Sequence, residues 1–230
     1  MVSMRAVCLQ HVPFEGPGAF ATALTARGVS IKRHLVPKDR LPNDAGDLLI
    51  VMGGPMSVND PDPWIAEETA FIRSALLNGQ PVIGVCLGSQ FMARALGATV
   101  RPGKALEIGM TSITLTPEAK NDPVFKTYPE SFDVFEWHGE VFDLPTDSVS
   151  LAGSIVAPLQ AFRYRAHAYG LLFHLEMEEP GIDSLCQECA PDLIKTRLTA
   201  QELKASAIPH LPTLHQFADR LIDHLLPFQR

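Results

Sequence analysis

The stretch PVIGVCLGSQFMARALG, residues 81–97, decides the fold class. A short apolar run, PVIGV, stops at Cys86, and a segment with helical spacing follows it and closes at Gly97. Gly84 and Gly88 flank the cysteine at two positions to either side, so the backbone can turn sharply there. The stretch therefore predicts a buried strand, a tight turn and a helix, which is a building unit of α/β proteins.

The same alternation of short apolar runs and amphipathic segments extends from this unit toward the N-terminus. RAVCLQ, VSIKRHL and DLLIVM predict three more strands, while AFATALTARG and the segment 64–77 predict two helices. The third of these strands is followed by GGPMSVNDPDP, whose Gly, Pro, Asn and Asp content predicts a long loop. This half of the chain predicts an α/β fold, an open and mostly parallel sheet flanked by helices.

The second half has a different texture. From Thr99 to Leu175 it is rich in β-like runs separated by turns, which we interpret as an extension of the same sheet. From about residue 180 to 230 a helical tail is expected, in which Thr199 and Glu202 have the spacing of a capping box. Because no repeat or low-complexity linker interrupts the chain, residues 1–230 are predicted to form one domain with a helical tail.

Composition excludes several classes of function. The 230 residues carry 19 basic and 26 acidic side chains, a net charge of −7, with no basic block, which argues against nucleic acid and anionic membrane as partners. There is no signal-peptide pattern and no run of eighteen apolar residues, so the protein is predicted to be cytoplasmic. A small molecule or another protein is the expected partner.

Cofactor motifs are missing from the sequence. Neither G-x-x-x-x-G-K-[ST] nor G-x-G-x-x-G occurs, so no nucleotide cofactor is predicted. Cys186 and Cys189 form a single C-x-x-C with no second pair and no histidine at ligand spacing, so no metal site is predicted either. Two incidental thiols on one helical face are the favoured interpretation.

Cys86 is the candidate nucleophile. A residue at a sharp turn between strand and helix, flanked by glycines, has its side chain pushed out of the core, and the helix N-terminus stabilises a thiolate there. The alternative is a buried structural cysteine, since free cysteine is among the most buried residue types and a lone G-x-C-x-G is a weak signal.

His174 and Glu176 are the candidate base and its orienting partner. They close the run AYGLLFHLE, and on a strand side chains two positions apart point to the same side, so the two are expected to emerge together. Glu176 would then fix the tautomer of the imidazole and stabilise its protonated form. Taken alone, a His-x-Glu at a strand end is more often a surface pair.

Backbone N–H groups near the turn are candidates for an oxyanion hole. The N–H of Leu87 follows the nucleophile directly, and Gly54 follows the third predicted strand at the same edge of the sheet. For Gly53-Gly54 a plain turn is the alternative interpretation.

Taken in chain order, these motifs resemble the class I glutamine amidotransferases, and most closely the free-standing proteins similar to the amidotransferase domain of GMP synthetase. The resemblance extends from about Arg5 to Glu176. It rests on MGGPMSVND as the oxyanion loop, GVCLGSQ as the nucleophile turn, EWHGEVFDLP as the W-H-G-[DE] segment and FHLE as the His-x-Glu end. The family usually has proline where this chain has Leu175.

The resemblance implies roles for individual residues. Cys86 would be the nucleophile, His174 the base and Glu176 its orienter, with oxyanion donors from Gly54 and Leu87. Further positions match the family's substrate-binding residues: Gln90, Trp137, Gly139 and Glu140. We interpret His138, within that segment, as a structural residue that hydrogen-bonds the loop.

Three functions remain open on the sequence. The first is hydrolysis of glutamine to glutamate and ammonia for a separate synthetase, because no synthetase domain is recognised in the about fifty residues after Glu176. The second is a stand-alone γ-glutamyl hydrolase or peptidase, and the third is a binding or regulatory protein with an idle site. The loop 15–18 is expected to border the leaving-group side.

Overall fold

A computed structural model describes residues 4–226, which contain nine strands and seven α-helices. The strands are β1 (Arg5–Gln10), β2 (Ser30–Leu35), β3 (Leu48–Val51), β4 (Val82–Val85), β5 (Val100–Leu115), β6 (Ser131–Phe142), β7 (Ser148–Gly153), β8 (Ala161–Tyr164) and β9 (Ala168–Leu171). The helices are α1 (Gly18–Ala26), α2 (Pro63–Leu77), α3 (Leu87–Ala95), α4 (Glu179–Glu188), α5 (Ala190–Thr196), α6 (Ala200–Ala207) and α7 (Leu211–Leu225).

All nine strands belong to one sheet with the order β2-β1-β3-β4-β9-β8-β7-β5-β6. The five strands from β2 to β9 pair in parallel, and the remaining pairings, from β9–β8 to β5–β6, are antiparallel. The predicted α/β fold is confirmed, and the β-rich second half extends the same sheet as expected.

The parallel half is buried on both faces, which explains its continuous apolar runs. Every residue of β3 and β4 is buried. Along β1, Ala6 and Cys8 pack into one core with α1 and α7, whereas Val7 and Leu9 pack into a second core with α2 and α3. Alternation along the strand thus supplies both faces of the sheet.

The tail is helical, as the sequence predicts. Thr199 accepts a hydrogen bond from the backbone of Glu202 and the Glu202 side chain returns one, so the capping box is present at the start of α6. Helix α7 then packs its apolar stripe against α1. Across residues 4–226, none of the helices combines the length and the apolar character needed to cross a bilayer.

One predicted element is shorter than expected. The run AYGLLFHL predicts a single strand carrying His174, but β9 ends at Leu171. His174 lies beyond it and forms an isolated antiparallel bridge with Phe135 on β6. The positions of His174 and Glu176 therefore follow from a turn against β6 and not from alternation along a strand.

Strand direction places the functional motifs at one edge. β1, β3, β4 and β9 are parallel neighbours, so their carboxyl ends lie side by side. His11, Gly53, Cys86 and His174 each follow one of these strands within three residues. This edge is where ligands bind in open α/β sheets.

Candidate active site

Cys86 occupies the sharp turn between β4 and α3. Its φ of 49° and ψ of −111° are a conformation that side chains other than glycine rarely adopt. The turn is held by a hydrogen bond from the Cys86 N–H to the carbonyl of Leu171, 2.8 Å, and by Ser89 and Gln90, whose N–H groups donate to the Cys86 carbonyl. A strained residue over-determined by its surroundings is typical of a functional turn.

The two flanking glycines are required by close backbone contacts. A Cβ at Gly88 would lie 2.0 Å from the carbonyl oxygen of Val51, and one at Gly84 would lie 2.6 Å from the carbonyl oxygen of Gly88. Helix α3 can therefore start directly against β3 and β4 only with glycine at both positions. The G-x-C-x-G pattern is explained by this packing.

His174 and Glu176 form a buried pair. Nδ1 of His174 donates to Oε1 of Glu176 at 2.6 Å, and both side chains are almost fully buried. The backbone N–H of His174 donates to the carbonyl of Phe135, 2.9 Å, which fixes the ring against β6. The predicted partnership of these two side chains has a structural counterpart, although the backbone that carries it is not a strand.

Electrostatics favour the protonated form of His174. Burial by itself lowers the pKa of this ring, but the charge of Glu176 and the contacts with Cys86 and Glu176 outweigh it and hold the pKa well above its usual range. Nε2 of His174 is buried and has no hydrogen-bond partner of good geometry within residues 4–226. This nitrogen is available for proton exchange with a bound molecule.

Gly53 lies where Cys86 and His174 meet. A Cβ at this position would lie 3.5 Å from Cβ of Cys86, 3.4 Å from Cε1 of His174 and 2.3 Å from Oε2 of Glu15. The absence of a side chain at Gly53 thus lets three functional side chains converge on one point.

The peptide between Gly53 and Gly54 is anchored by a buried ion pair. Nδ1 of His11 donates to the carbonyl of Gly53, 3.0 Å, and Nε2 of His11 contacts Oε1 of Glu68, 3.0 Å. Both side chains of the pair are fully buried. Burial lowers the pKa of His11, but the hydrogen bond and charge of Glu68 outweigh it, so that the pKa is raised and both nitrogens carry protons.

This anchor sets the direction of the Gly54 N–H. The C=O and N–H groups of one trans peptide point in opposite directions, so the bond from His11 to the Gly53 carbonyl turns the Gly54 N–H away from His11. Within residues 4–226 neither the Gly54 N–H nor the Leu87 N–H has a hydrogen-bond partner. Leu87 is the first residue of α3, where N–H groups are free by helix geometry.

A trace of this anchor is present in the pattern of α2. The buried positions of α2 are Ile65, Glu68, Ile72, Ala75 and Leu76, so a glutamate interrupts an otherwise apolar stripe. A buried carboxylate needs a partner, and a histidine at the carboxyl end of β1 is the natural candidate. Neither His11 nor Glu68 is among the residues that the sequence motifs point to.

A cavity of about 250 Å³ opens beside Cys86. Among the predicted site residues, its lining includes Gly54, Cys86, Gln90, Trp137, Gly139 and Glu140. His174, Glu176 and Leu87 do not belong to the lining and lie behind it. The volume is at the small end for ligand pockets, which suits a substrate of amino-acid size.

Comparison with known proteins identifies the family. The description "Glutamine amidotransferase class-I" matches residues 19–181. This chain belongs to the class-I glutamine amidotransferase family. It is 31% identical over 198 residues to the glutamine amidotransferase-like protein YfeJ of Salmonella typhimurium, with 83% of each chain covered.

Two further similarities agree with this membership. The amidotransferase is 32% identical over 141 residues to a subunit of the glutamine-hydrolyzing GMP synthase of Saccharolobus solfataricus, a match that covers 60% of this chain and 72% of that one. Its fold matches the crystal structure of a glutamine amidotransferase from Thermotoga maritima with a TM-score of 0.90 at 26% identity, covering 98% of this chain and 99% of that one.

The amidotransferase cavity has one wall that the family motifs do not describe. The segment that forms α4 and α5 contributes Leu185, Cys189 and Asp192, and Oδ2 of Asp192 accepts a hydrogen bond from Nε1 of Trp137 at 3.4 Å. These three residues lie beyond residue 181, where the family match ends. Cys189, interpreted from the sequence as incidental, therefore faces the cavity, while Cys186 is buried.

His138 belongs to a buried carboxylate cluster. Its Nε2 lies 3.3 Å from Oε2 of Glu107 and 3.2 Å from Oε2 of Glu136, so its partners are carboxylates on β5 and β6 and not the loop, as the sequence motif suggests. Burial lowers the pKa of His138, but the hydrogen bonds and charge of these carboxylates raise it to about 10. The imidazolium also lines the cavity beside Cys86.

Proposed function

We propose that this amidotransferase hydrolyses the γ-carboxamide of glutamine through a γ-glutamyl thioester on Cys86, releasing glutamate and ammonia. The observation that carries the proposal is the convergence of Cys86 with the His174–Glu176 pair around Gly53. A thiol, a base and an oriented carboxylate in this arrangement are what covalent amide hydrolysis requires.

In the first step the Cys86 thiolate attacks the carbonyl carbon and a C–S bond forms. The negative charge that develops on the carbonyl oxygen is met by the N–H groups of Gly54 and Leu87, which have no competing partner within residues 4–226. His174 then gives the proton on Nε2 to the leaving nitrogen, the C–N bond breaks, and ammonia departs.

In the second step the thioester is hydrolysed. Nε2 of His174, now unprotonated, accepts a proton from water as the water attacks the carbonyl carbon, and the returning thiolate is the leaving group. Glu176 stays ionised throughout and stabilises the imidazolium that forms in each step. The pair at 2.6 Å is arranged for that role.

We propose that the glutamyl half of the substrate occupies the cavity lined by Gln90, Trp137, Gly139 and Glu140. Glu140 is held by Ser57, whose Oγ donates to both carboxylate oxygens at 2.9 and 3.0 Å. A preorganised carboxylate at the edge of this cavity suits the α-ammonium group of a glutamyl substrate.

The ammonia acceptor is proposed to be a separate synthetase chain. The Saccharolobus solfataricus relative is named as one subunit of its GMP synthase, and the name of a subunit implies that this protein has a partner chain. The present chain is related to it over the part that holds the predicted motifs.

A second function has its own structural support. A cavity of about 380 Å³ lies on the other side of Glu15 from Cys86, and its lining includes Arg33. A space of this size beside the leaving-group position, with a guanidinium in its wall, suits the amino-acid leaving group of a γ-glutamyl peptide. The alternative is therefore a stand-alone γ-glutamyl hydrolase.

The test is release of free glutamate by the purified protein from L-glutamine and, in parallel, from glutathione and γ-glutamyl dipeptides. Cys86→Ser supplies the blank, since it removes the thiol that both functions need. Release from glutamine alone supports the ammonia supplier, and release mainly from the peptides supports the hydrolase. Release at equal rates by Cys86→Ser would contradict both.

A further inference from the structure

We propose that Glu15 binds the leaving nitrogen of the substrate and is a further catalytic residue of this site. The inference rests on the proposed function, because it assigns a subsite of the same reaction. Glu15 belongs to the loop between β1 and α1, ahead of residue 19, where the family match begins.

Glu15 lies at the reacting centre. Its Oε2 would be 2.3 Å from a Cβ on Gly53, the same point that lies 3.5 Å from Cβ of Cys86 and 3.4 Å from Cε1 of His174. Its side chain also lines the cavity that holds Cys86. The carboxylate is therefore a neighbour of the nucleophile and the base without being part of their hydrogen-bonded pair.

The Glu15 carboxylate has no structural task that would explain its burial. Only 9% of the residue is exposed, and its carboxylate makes no hydrogen bond or ion pair within residues 4–226. Burial raises the pKa of Glu15 to about 7, with His174 lowering it and Glu176 raising it. A buried carboxylate without a partner is costly, and a ligand that donates hydrogen bonds to it offsets that cost.

Assignment of the remaining substituents leaves the nitrogen for Glu15. At the carbonyl carbon, the oxygen is directed to the N–H groups of Gly54 and Leu87, and the glutamyl chain extends toward β6 and α3. The third substituent is the amide nitrogen. Glu15 enters from the β1 side of Cys86, opposite to β6 in the order of the strands.

The two cavities support the same direction. Among residues 4–226, Glu15 is the one residue that lines both the cavity beside Cys86 and the cavity beyond it. A departing amine that passes from the first space to the second therefore meets this carboxylate. Ammonia and a larger amine would both take this route.

The proton balance of the step is unchanged by Glu15. The carboxylate accepts a hydrogen bond from an N–H of the leaving nitrogen, which leaves the nitrogen lone pair free to take the proton from Nε2 of His174. The C–N bond then breaks and a neutral amine departs. Glu15 is ionised before and after, and its contribution grows as the nitrogen becomes more positive in the transition state.

The experiment compares two substrates with the same glutamyl half and different leaving groups. L-Glutamine loses ammonia, whereas the γ-methyl ester of L-glutamate loses methanol and has no N–H to donate. Both acylate Cys86 to the same thioester, so kcat/KM separates the leaving-group side from everything else. The variants are Glu15→Leu and Glu15→Gln, with Glu178→Gln, another acidic residue in the lining of the second cavity, as the matched control.

For Glu15→Leu we expect kcat/KM for glutamine to fall by about tenfold or more, the effect of losing one hydrogen bond to a charged group. Glu15→Gln, which keeps a neutral acceptor, is expected to show a smaller fall. The ester should be hydrolysed within about twofold of wild type by both, which also shows that the variants are folded, and Glu178→Gln should change neither substrate.

Equal losses for amide and ester, or no loss for glutamine, would overturn the assignment of Glu15 while leaving the proposed function in place. Failure of the wild-type protein to hydrolyse either substrate, in contrast, would overturn the proposed function and this inference with it.

Discussion

Nδ1 of His11 lies 3.0 Å from the carbonyl oxygen of Gly53, and that carbonyl shares its peptide unit with the N–H of Gly54. A fully buried histidine outside every family motif thus determines the direction of a proposed oxyanion donor. The chain builds its oxyanion loop from β1 and α2 as well as from the loop itself.

Replacement of His11 by alanine should therefore lower kcat more than it changes KM. The oxyanion develops only in the transition state, so a misdirected Gly54 N–H costs about tenfold to a hundredfold in kcat with little effect on glutamine binding. His11→Asn, which keeps a donor, should recover part of the loss. An increase of KM with unchanged kcat would show that His11 has no influence on the oxyanion.

Gly53→Ala should remove most of the activity. A methyl group there would lie 2.3 Å from Oε2 of Glu15 and within 3.5 Å of Cys86 and His174, so at least one of these side chains must move. We expect a loss of about a hundredfold in kcat/KM, as for displacements near about 1 Å at a reacting centre. Gly16→Ala is the matched control, because the nearest atom to its Cβ is at 3.7 Å; equal effects of the two substitutions would contradict the packing argument.

Glu176→Gln should slow hydrolysis without abolishing it, by a few orders of magnitude at most. The charge of Glu176 raises the pKa of His174, so its removal lowers that pKa and the imidazolium is lost at a lower pH. Because the imidazolium protonates the leaving nitrogen, the alkaline limb of the kcat/KM profile should move to lower pH. An unchanged rate and profile would exclude Glu176 from the site.

The His138 cluster predicts a pH dependence of stability. The pKa of His138 is raised to about 10 by its two carboxylate neighbours, above its ordinary value of 6.5. Its stabilising contribution is thus complete below the unfolded pKa and is lost as the pH rises through the folded one. The difference in unfolding free energy between wild type and His138→Gln, measured by denaturant titration, should be largest near about pH 6 and shrink toward about pH 10; a difference that stays constant would contradict this.

Local sequence is sufficient for the features that depend on short-range geometry. The turn at Cys86, flanked by Gly84 and Gly88, and the capping box at Thr199 follow from positions a few residues apart. The alternation of apolar runs is sufficient for the α/β fold. The single-domain organisation and the cytoplasmic location stay predictions.

Long-range pairing is beyond such reasoning. The contact of His11 with Glu68 spans 57 positions, and the buried state of Glu15 depends on the loop after β1 meeting the loop after β3. The apolar run around His174 predicts a continuous strand, whereas a single bridge to Phe135 replaces the regular pairing there. Burial by a distant element leaves little trace in local periodicity.

The central claim is that glutamine hydrolysis passes through a thioester on Cys86. The most direct measurement is to mix the protein with isotopically labelled L-glutamine, quench in acid during turnover, and map the label on proteolytic peptides by mass spectrometry. The account predicts a labile γ-glutamyl adduct on the peptide that contains Cys86, absent from Cys86→Ser. Continued release of glutamate with no adduct, or with the label on another residue, would contradict it.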